Sequence, residues 1–178
     1  MNNKPASPQF IRWFAQLSND DVALVGGKNA YLGELYQQLV PQGVRVPNGF
    51  AIIAQAYHSV LAQGGALQAL RDTLAELDPD DIGSLSSCGA RAREVIYDAG
   101  LPADLQAEII AAARLRSQYS GELSFAVRSS ATAEDLPEAS FTGQHDSFLN
   151  LRSDEELIES CRRCFANRAI HYRVDQGF

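Results

Sequence analysis

Three interruptions limit how the middle of this chain can fold: Gly64-Gly65, Asp78-Pro79 and Gly100-Leu101-Pro102. Glycine pairs and proline are poorly tolerated inside a helix, so the apolar periodicity between them belongs to separate, short helices. The spacing predicts helices over Ala54–Gln63 and Ala66–Leu77, then from about Asp81 to Ala99 and from Pro102 to about Tyr119. Pro102 suits the opening of a helix, where its missing N–H costs nothing. No cluster of reactive side chains stands out in this block. His58 is a lone histidine on an amphipathic helix, which suits the surface or packing, and Cys88 has no partner in the sequence.

Strand-like segments lie on either side. Phe10-Ile11-Arg12-Trp13-Phe14 is short, aromatic and β-like. Val44 to Ile53 reads as strand, tight turn and strand around Pro47-Asn48-Gly49. Phe125-Ala126-Val127 reads as a short buried strand, and Asp146 to Leu151 as an alternating one. Ser153-Asp154-Glu155-Glu156 is a capping-box pattern that opens a last helix. Few strands and many helices define an α+β chain. Across 178 residues, a 46% apolar fraction is that of an ordinary globular protein. A net charge of −7 argues against non-specific binding to nucleic acid or an anionic membrane. The first ten residues lack the apolar core of a secretory signal, and no apolar run is long enough to span a bilayer. Three cysteines make no disulfide framework. The expected protein is soluble and cytoplasmic.

Two places carry chemistry. In the first, Gly26-Gly27-Lys28 precedes Tyr31, Leu32, Leu35, Tyr36 and Leu39 at helical spacing. Glycines at a helix mouth let backbone N–H groups approach a ligand, the helix N-terminus carries partial positive charge, and Lys28 adds a full one. The pattern is not a P-loop, because the second glycine pair and the following Ser or Thr are missing. Lys28 is one of only two lysines, the other being Lys4. In the second, Arg128 ends the Phe125–Val127 strand and is followed by Ser129, Ser130 and Thr132, with Gly143 further on. A guanidinium held at a strand end presents a planar fork of donors that suits phosphate oxygens. From this stretch alone the alternative stays open: Arg128 pairs with Glu134 or Asp135 and the hydroxyls cap turns. Cys161 and Cys164, three apart on the last helix, lack a second ligand pair, so zinc or redox chemistry is not expected of them.

Four segments together carry a resemblance: Gly26-Gly27-Lys28-Asn29-Ala30, Val46-Pro47-Asn48-Gly49-Phe50, the run from Ala126 to Asp135, and Ala139-Ser140-Phe141-Thr142-Gly143-Gln144. With them the chain resembles the N-terminal part of the phosphoenolpyruvate synthase (pyruvate, water dikinase) family, from Trp13 to Gly177. The Gly-Gly-Lys motif is shared with pyruvate phosphate dikinase and related phosphotransferases; the Arg128 motif is the more specific. The resemblance implies the first part of an ATP-grasp nucleotide-binding domain. Family members use ATP to pyrophosphorylate a histidine on a swivelling domain; water takes one phosphate, and pyruvate, held in a barrel domain, takes the other. Carried over by motif position, Lys28 and Arg128 would hold ATP phosphates, Gly143 would give close backbone contact, and Ser147 would offer a hydroxyl where relatives often carry threonine. ATP and Mg²⁺ are the implied cofactors, and the parent enzyme is expected to be a homo-oligomer working in gluconeogenesis.

Two departures qualify that expectation. Family enzymes are several times longer, so residues 1–178 are expected to be the N-terminal portion of the ATP-binding domain. The magnesium ligands, phosphohistidine segment and pyruvate barrel are then expected elsewhere, and this chain alone is expected to be inactive. Relatives also carry about one more helical turn between segments like Cys164-Phe165-Ala166 and Asn167-Arg168-Ala169-Ile170. The competing expectations are a relative with another acceptor, phosphate or an antibiotic hydroxyl, and a non-catalytic nucleotide-binding module.

Overall fold

In the computed structural model, which describes residues 10–78, 80–118, 124–130 and 147–167, strand β1 (Ile11–Trp13) pairs antiparallel with β2 (Phe50–Ile52). Between them lie two 3-10 turns, the one-turn helix α1 (Val22–Val25), helix α2 (Gly27–Leu39) and a further 3-10 turn. Then come α3 (Gln55–Leu61), α4 (Ala66–Ala75), α5 (Ile82–Ala99) and α6 (Ala103–Gln118). A second antiparallel pair, β3 (Phe125–Arg128) with β4 (Ser147–Leu151), precedes α7 (Asp154–Asn167). The mixed α+β class is as expected, and each helix of the central block ends within two residues of its predicted stop. The predicted strand at Val44–Val46 does not form; residues 44–49 are irregular and Val44 is exposed. β2 finds its partner in β1, and Gly49 turns its carbonyl to the Phe14 N–H at 3.1 Å.

Two buried clusters share this framework. The larger gathers Phe10 and Ile11 with α3, α4, α5, α6 and α7, centred on Val60, Leu70, Ile96, Leu105 and Ile109. The smaller joins Phe14, Leu17, Val25, Ala30, Ala51 and Ile53. Ile11, Ile52, Trp13 and Phe50 all lie against the larger cluster, while Ala51 belongs to the smaller, so the β1–β2 ribbon serves each with one face. Glu108 on α6 accepts a hydrogen bond from the Phe10 N–H at 2.8 Å and ties the ribbon to the helical block.

α2 lies where the periodicity puts it, yet of its large side chains only Leu32 and Tyr36 pack against the smaller cluster, and those only partly buried. Tyr31 and Leu35 are about half exposed, and the buried positions are Gly27, Ala30 and Gly33. Small residues at this spacing bring the helix backbone against Leu17: a Cβ at Gly33 would sit 2.5 Å from the Leu17 Cβ and 2.7 Å from its carbonyl oxygen. The Phe125–Val127 strand is likewise only half-buried. Phe125 and Val127 turn toward α7 and the larger cluster, whereas Ala126 and Arg128 are exposed on the other face.

α7 opens with the expected reciprocal cap. The Ser153 hydroxyl accepts from the Glu156 N–H at 3.1 Å, and the Glu156 carboxylate accepts from the N–H groups of Arg152 and Ser153 at 2.7 and 3.3 Å. Those backbone donors hold the Glu156 carboxyl below the usual carboxylate range. α7 runs unbroken through Ala166 and Asn167, where the expected shortening falls.

A glycine-to-alanine change inside a helix ordinarily stabilises by roughly 0.5–1 kcal/mol. Gly33→Ala is expected to reverse that sign and cost about 1–3 kcal/mol, because the new methyl meets backbone rather than a movable side chain. Gly89→Ala on α5, where the nearest atom is the Arg93 guanidinium end at 3.6 Å, is expected to stabilise. Urea midpoints of the two variants check this; a rise for both would show that the α2–Leu17 approach has slack.

Candidate nucleotide-binding site

Gly26 joins α1 to α2 with φ +80° and ψ 156°, a conformation that essentially only glycine occupies without strain. It closes one helix and opens the next: its N–H donates to the Val22 carbonyl at 2.8 Å, and its carbonyl accepts from the Ala30 N–H at 3.1 Å. Gly26 and Gly27 are buried and Lys28 is exposed, one residue past the helix start. The N-terminal turn of a helix holds N–H groups that the helix itself does not use, together with a partial positive charge. No acidic residue stands in the first turn of α2, in contrast to α7, whose first turn has Asp154, Glu155 and Glu156. Asn29 is turned back, its side-chain amide donating to the Val25 carbonyl at 2.9 Å.

On the second ribbon, Arg128 and Ser147 stand directly opposite each other, and the Arg128 Nε–H donates to the Ser147 hydroxyl at 3.2 Å. Both are exposed on the face turned away from α7. Among the described residues no carboxylate pairs with Arg128, while Glu134 and Asp135, the alternative partners, lie outside the described residues. Gly143 lies outside them too. The structure thus joins two of the four expected ligands, Arg128 and Ser147. Lys28 stands on the smaller cluster, on a helix that packs chiefly against α1 and the 3-10 turns around it.

Residues 22–178 match the family described as pyruvate phosphate dikinase, AMP/ATP-binding domain, and the chain belongs to that family. It is similar to the phosphoenolpyruvate synthase of Helicobacter pylori, 46% identical over 176 residues, which are 96% of this chain and 22% of that protein. The phosphoenolpyruvate synthase of Escherichia coli is 43% identical over 182 residues, covering 100% of this chain and 23% of that protein. The one from Synechocystis is 46% identical over 178 residues, 94% of this chain and 22% of the relative. The chain therefore spans under a quarter of the length of these curated relatives.

Other polar clusters are structural. Two open clefts of about 360 and 680 Å³ flank the seam of α5 with α7, and neither touches Lys28, Arg128 or Ser147. At that seam the Arg162 guanidinium lies 3.8 Å over the Tyr97 ring and donates to the Tyr97 carbonyl at 2.6 Å. The Tyr97 hydroxyl and Arg163 both donate to Glu159. Burial opposes ionisation of Glu159, but those hydrogen bonds outweigh it and hold the carboxyl below its usual range. The two partners of Tyr97, Glu159 and Arg162, lie 62 and 65 residues from it in sequence, so no local pattern could reveal those contacts. Among the described residues no group of three or more His, Cys, Asp or Glu side chains could hold a metal ion, and no helix is long and apolar enough to cross a membrane.

All three cysteines are free thiols. Cys88 is buried and donates to the Thr73 carbonyl at 3.0 Å across the α4–α5 contact. Burial, with a smaller contribution from Cys164, pushes the Cys161 thiol up to about 12. A thiol reagent reacts with the thiolate, and an ordinary cysteine ionises near pH ~8.5. Titrating the native protein near that pH is expected to modify half-buried Cys164 first and to leave Cys88 and Cys161 untouched until denaturant is added. Rapid modification of Cys161 would contradict its place in the core.

Proposed function

We propose that residues 1–178 are the N-terminal portion of the ATP-grasp nucleotide-binding domain of a cytoplasmic phosphoenolpyruvate synthase. The parent reaction is ATP + pyruvate + water → AMP + phosphoenolpyruvate + phosphate, carried by a phosphohistidine on another domain. Two lines support the reading: membership of an AMP/ATP-binding family, and the identity of 43–46% to relatives that are phosphoenolpyruvate synthases. Relatives of that name favour water and pyruvate as acceptors over phosphate or an antibiotic hydroxyl. The observation that carries the site is the outward Arg128 guanidinium, resting on a hydroxyl rather than neutralised by a described carboxylate.

In this reading Arg128 grips two phosphate oxygens of ATP, and the Ser147 hydroxyl lies beside them. Lys28 adds charge from the N-terminus of α2, and Gly143 supplies close backbone contact. A charged fork and a helix terminus stabilise the nucleotide's negative charge without themselves reacting, so no catalytic residue is proposed within this chain. Magnesium would neutralise the polyphosphate when bound. The described residues offer no cluster for it, and its ligands are proposed to lie outside this chain.

Arg128→Lys in the intact protein tests the reading. Lysine keeps the charge and loses the planar two-pronged contact, so ATP affinity and phosphorylation of the acceptor histidine are expected to fall roughly ten- to hundredfold, or about 1.5–3 kcal/mol. Lys28→Ala is expected to weaken the same two readouts with an unchanged circular dichroism spectrum. Near-wild-type values for Arg128→Lys would move the phosphate site elsewhere.

A further inference from the structure

The β3–β4 ribbon is not regular. Phe125 pairs with Leu151, whereas Val127 pairs with Phe148 and Arg128 with Ser147. One residue of β3, Ala126, therefore faces two of β4, Leu149 and Asn150, and Asn150 has φ +58°. This is a β-bulge with its extra residue beside a left-handed position, where asparagine is better tolerated than most side chains. The bulge changes what faces Arg128. Continuing the Phe125–Leu151 pairing without it would put Phe148 opposite Arg128, on the exposed face. With it, Phe148 and Leu151 both turn toward the larger cluster, although they are an odd number of residues apart, and Ser147 moves under the guanidinium.

We propose that this bulge aims the arginine: by setting Ser147 opposite Arg128 it engages Nε–H and leaves the Nη1/Nη2 edge to take two oxygens of the nucleotide's phosphate. Ser147 and Asn150 are then positioning residues for Arg128. A guanidinium has two edges that can grip a pair of oxygens, one including Nε and one formed by the two terminal nitrogens. The Ser147 contact occupies the first and selects the second. In this arrangement Ser147 acts on the nucleotide through Arg128, accepting from Nε–H and holding the guanidinium plane. The inference rests on the reading of Arg128 as an ATP phosphate ligand, and its test separates the two.

The test is ATP affinity of the intact protein by calorimetry, with thermal unfolding measured on every variant. Ser147→Ala is expected to weaken ATP binding about tenfold, and Ser147→Thr to recover most of the loss. In an Arg128→Ala background the same Ser147→Ala change is expected to cost less than about twofold, because nothing remains to be aimed. Asn150→Gly, which accepts a positive φ, is expected to bind nearly as the wild type; Asn150→Val, which does not, is expected to lose as much as Ser147→Ala. Where Asn150→Val fails to fold, the Ser147–Arg128 cycle decides. A full tenfold loss from Ser147→Ala in the Arg128→Ala background would overturn the proposal, since Ser147 would then act alone. So would an unchanged affinity in Ser147→Ala beside a weakened Arg128→Ala, and either result leaves Arg128 as a phosphate ligand. Unchanged affinity in Arg128→Ala would overturn that reading and the proposal with it.

Discussion

Everything in the described structure leans on a ribbon three residues long. β1 and β2 present alternate residues to two different hydrophobic clusters, so neither cluster can be completed without the pair. Period-2 alternation makes this possible with so little chain: Ile11, Trp13, Phe50 and Ile52 line one face, and Ala51 lies on the other. The two elements that carry the charged candidates stand on opposite clusters. α2 carries Lys28 beside the smaller one, and β3 carries Arg128 over the larger. The ribbon therefore links the supports of these two groups.

The helices were legible because their breaks are chemical: Gly64-Gly65, Asp78-Pro79 and Gly100-Leu101-Pro102 act locally, without regard to tertiary context. The capping box before α7 was legible for the same reason. What failed depended on partners distant in sequence. Val44–Val46 has strand-like residues, yet β2 pairs with the distant β1 and not with this segment across the turn. α2 buries its glycines and alanine, so its exposed Tyr31 and Leu35 mislead a reading that equates bulk with burial. β3 has a buried composition but a helix on only one face. The residue types of the candidate site could be read from Lys28, Arg128 and Ser147, whereas the register that joins Arg128 to Ser147 could not be read from strand propensity.

The two helix starts divide the labour of charge. α7 satisfies its own first turn with Ser153 and Glu156 and surrounds it with carboxylates, which makes it a poor place for an anion. α2 begins at a glycine, has no acidic residue in its first turn and carries a lysine one residue in. In a chain with a net charge of −7, the two helix starts thus differ in the residues of their first turns, acidic in α7 and without a carboxylate in α2.

The bond from the Phe10 N–H to Glu108 spans 98 residues, and that distance has a consequence on the ribosome. A chain made from its N-terminus at roughly 5–20 residues per second leaves β1 without this anchor for about 5–20 s. During that interval the aromatic ribbon has β2, the smaller cluster and whichever of α3, α4 and α5 have emerged to shelter it, without α6 to complete the larger cluster. Nascent chains are thus most prone to pair strand edges with one another before α6 emerges, and the window closes when Glu108 docks.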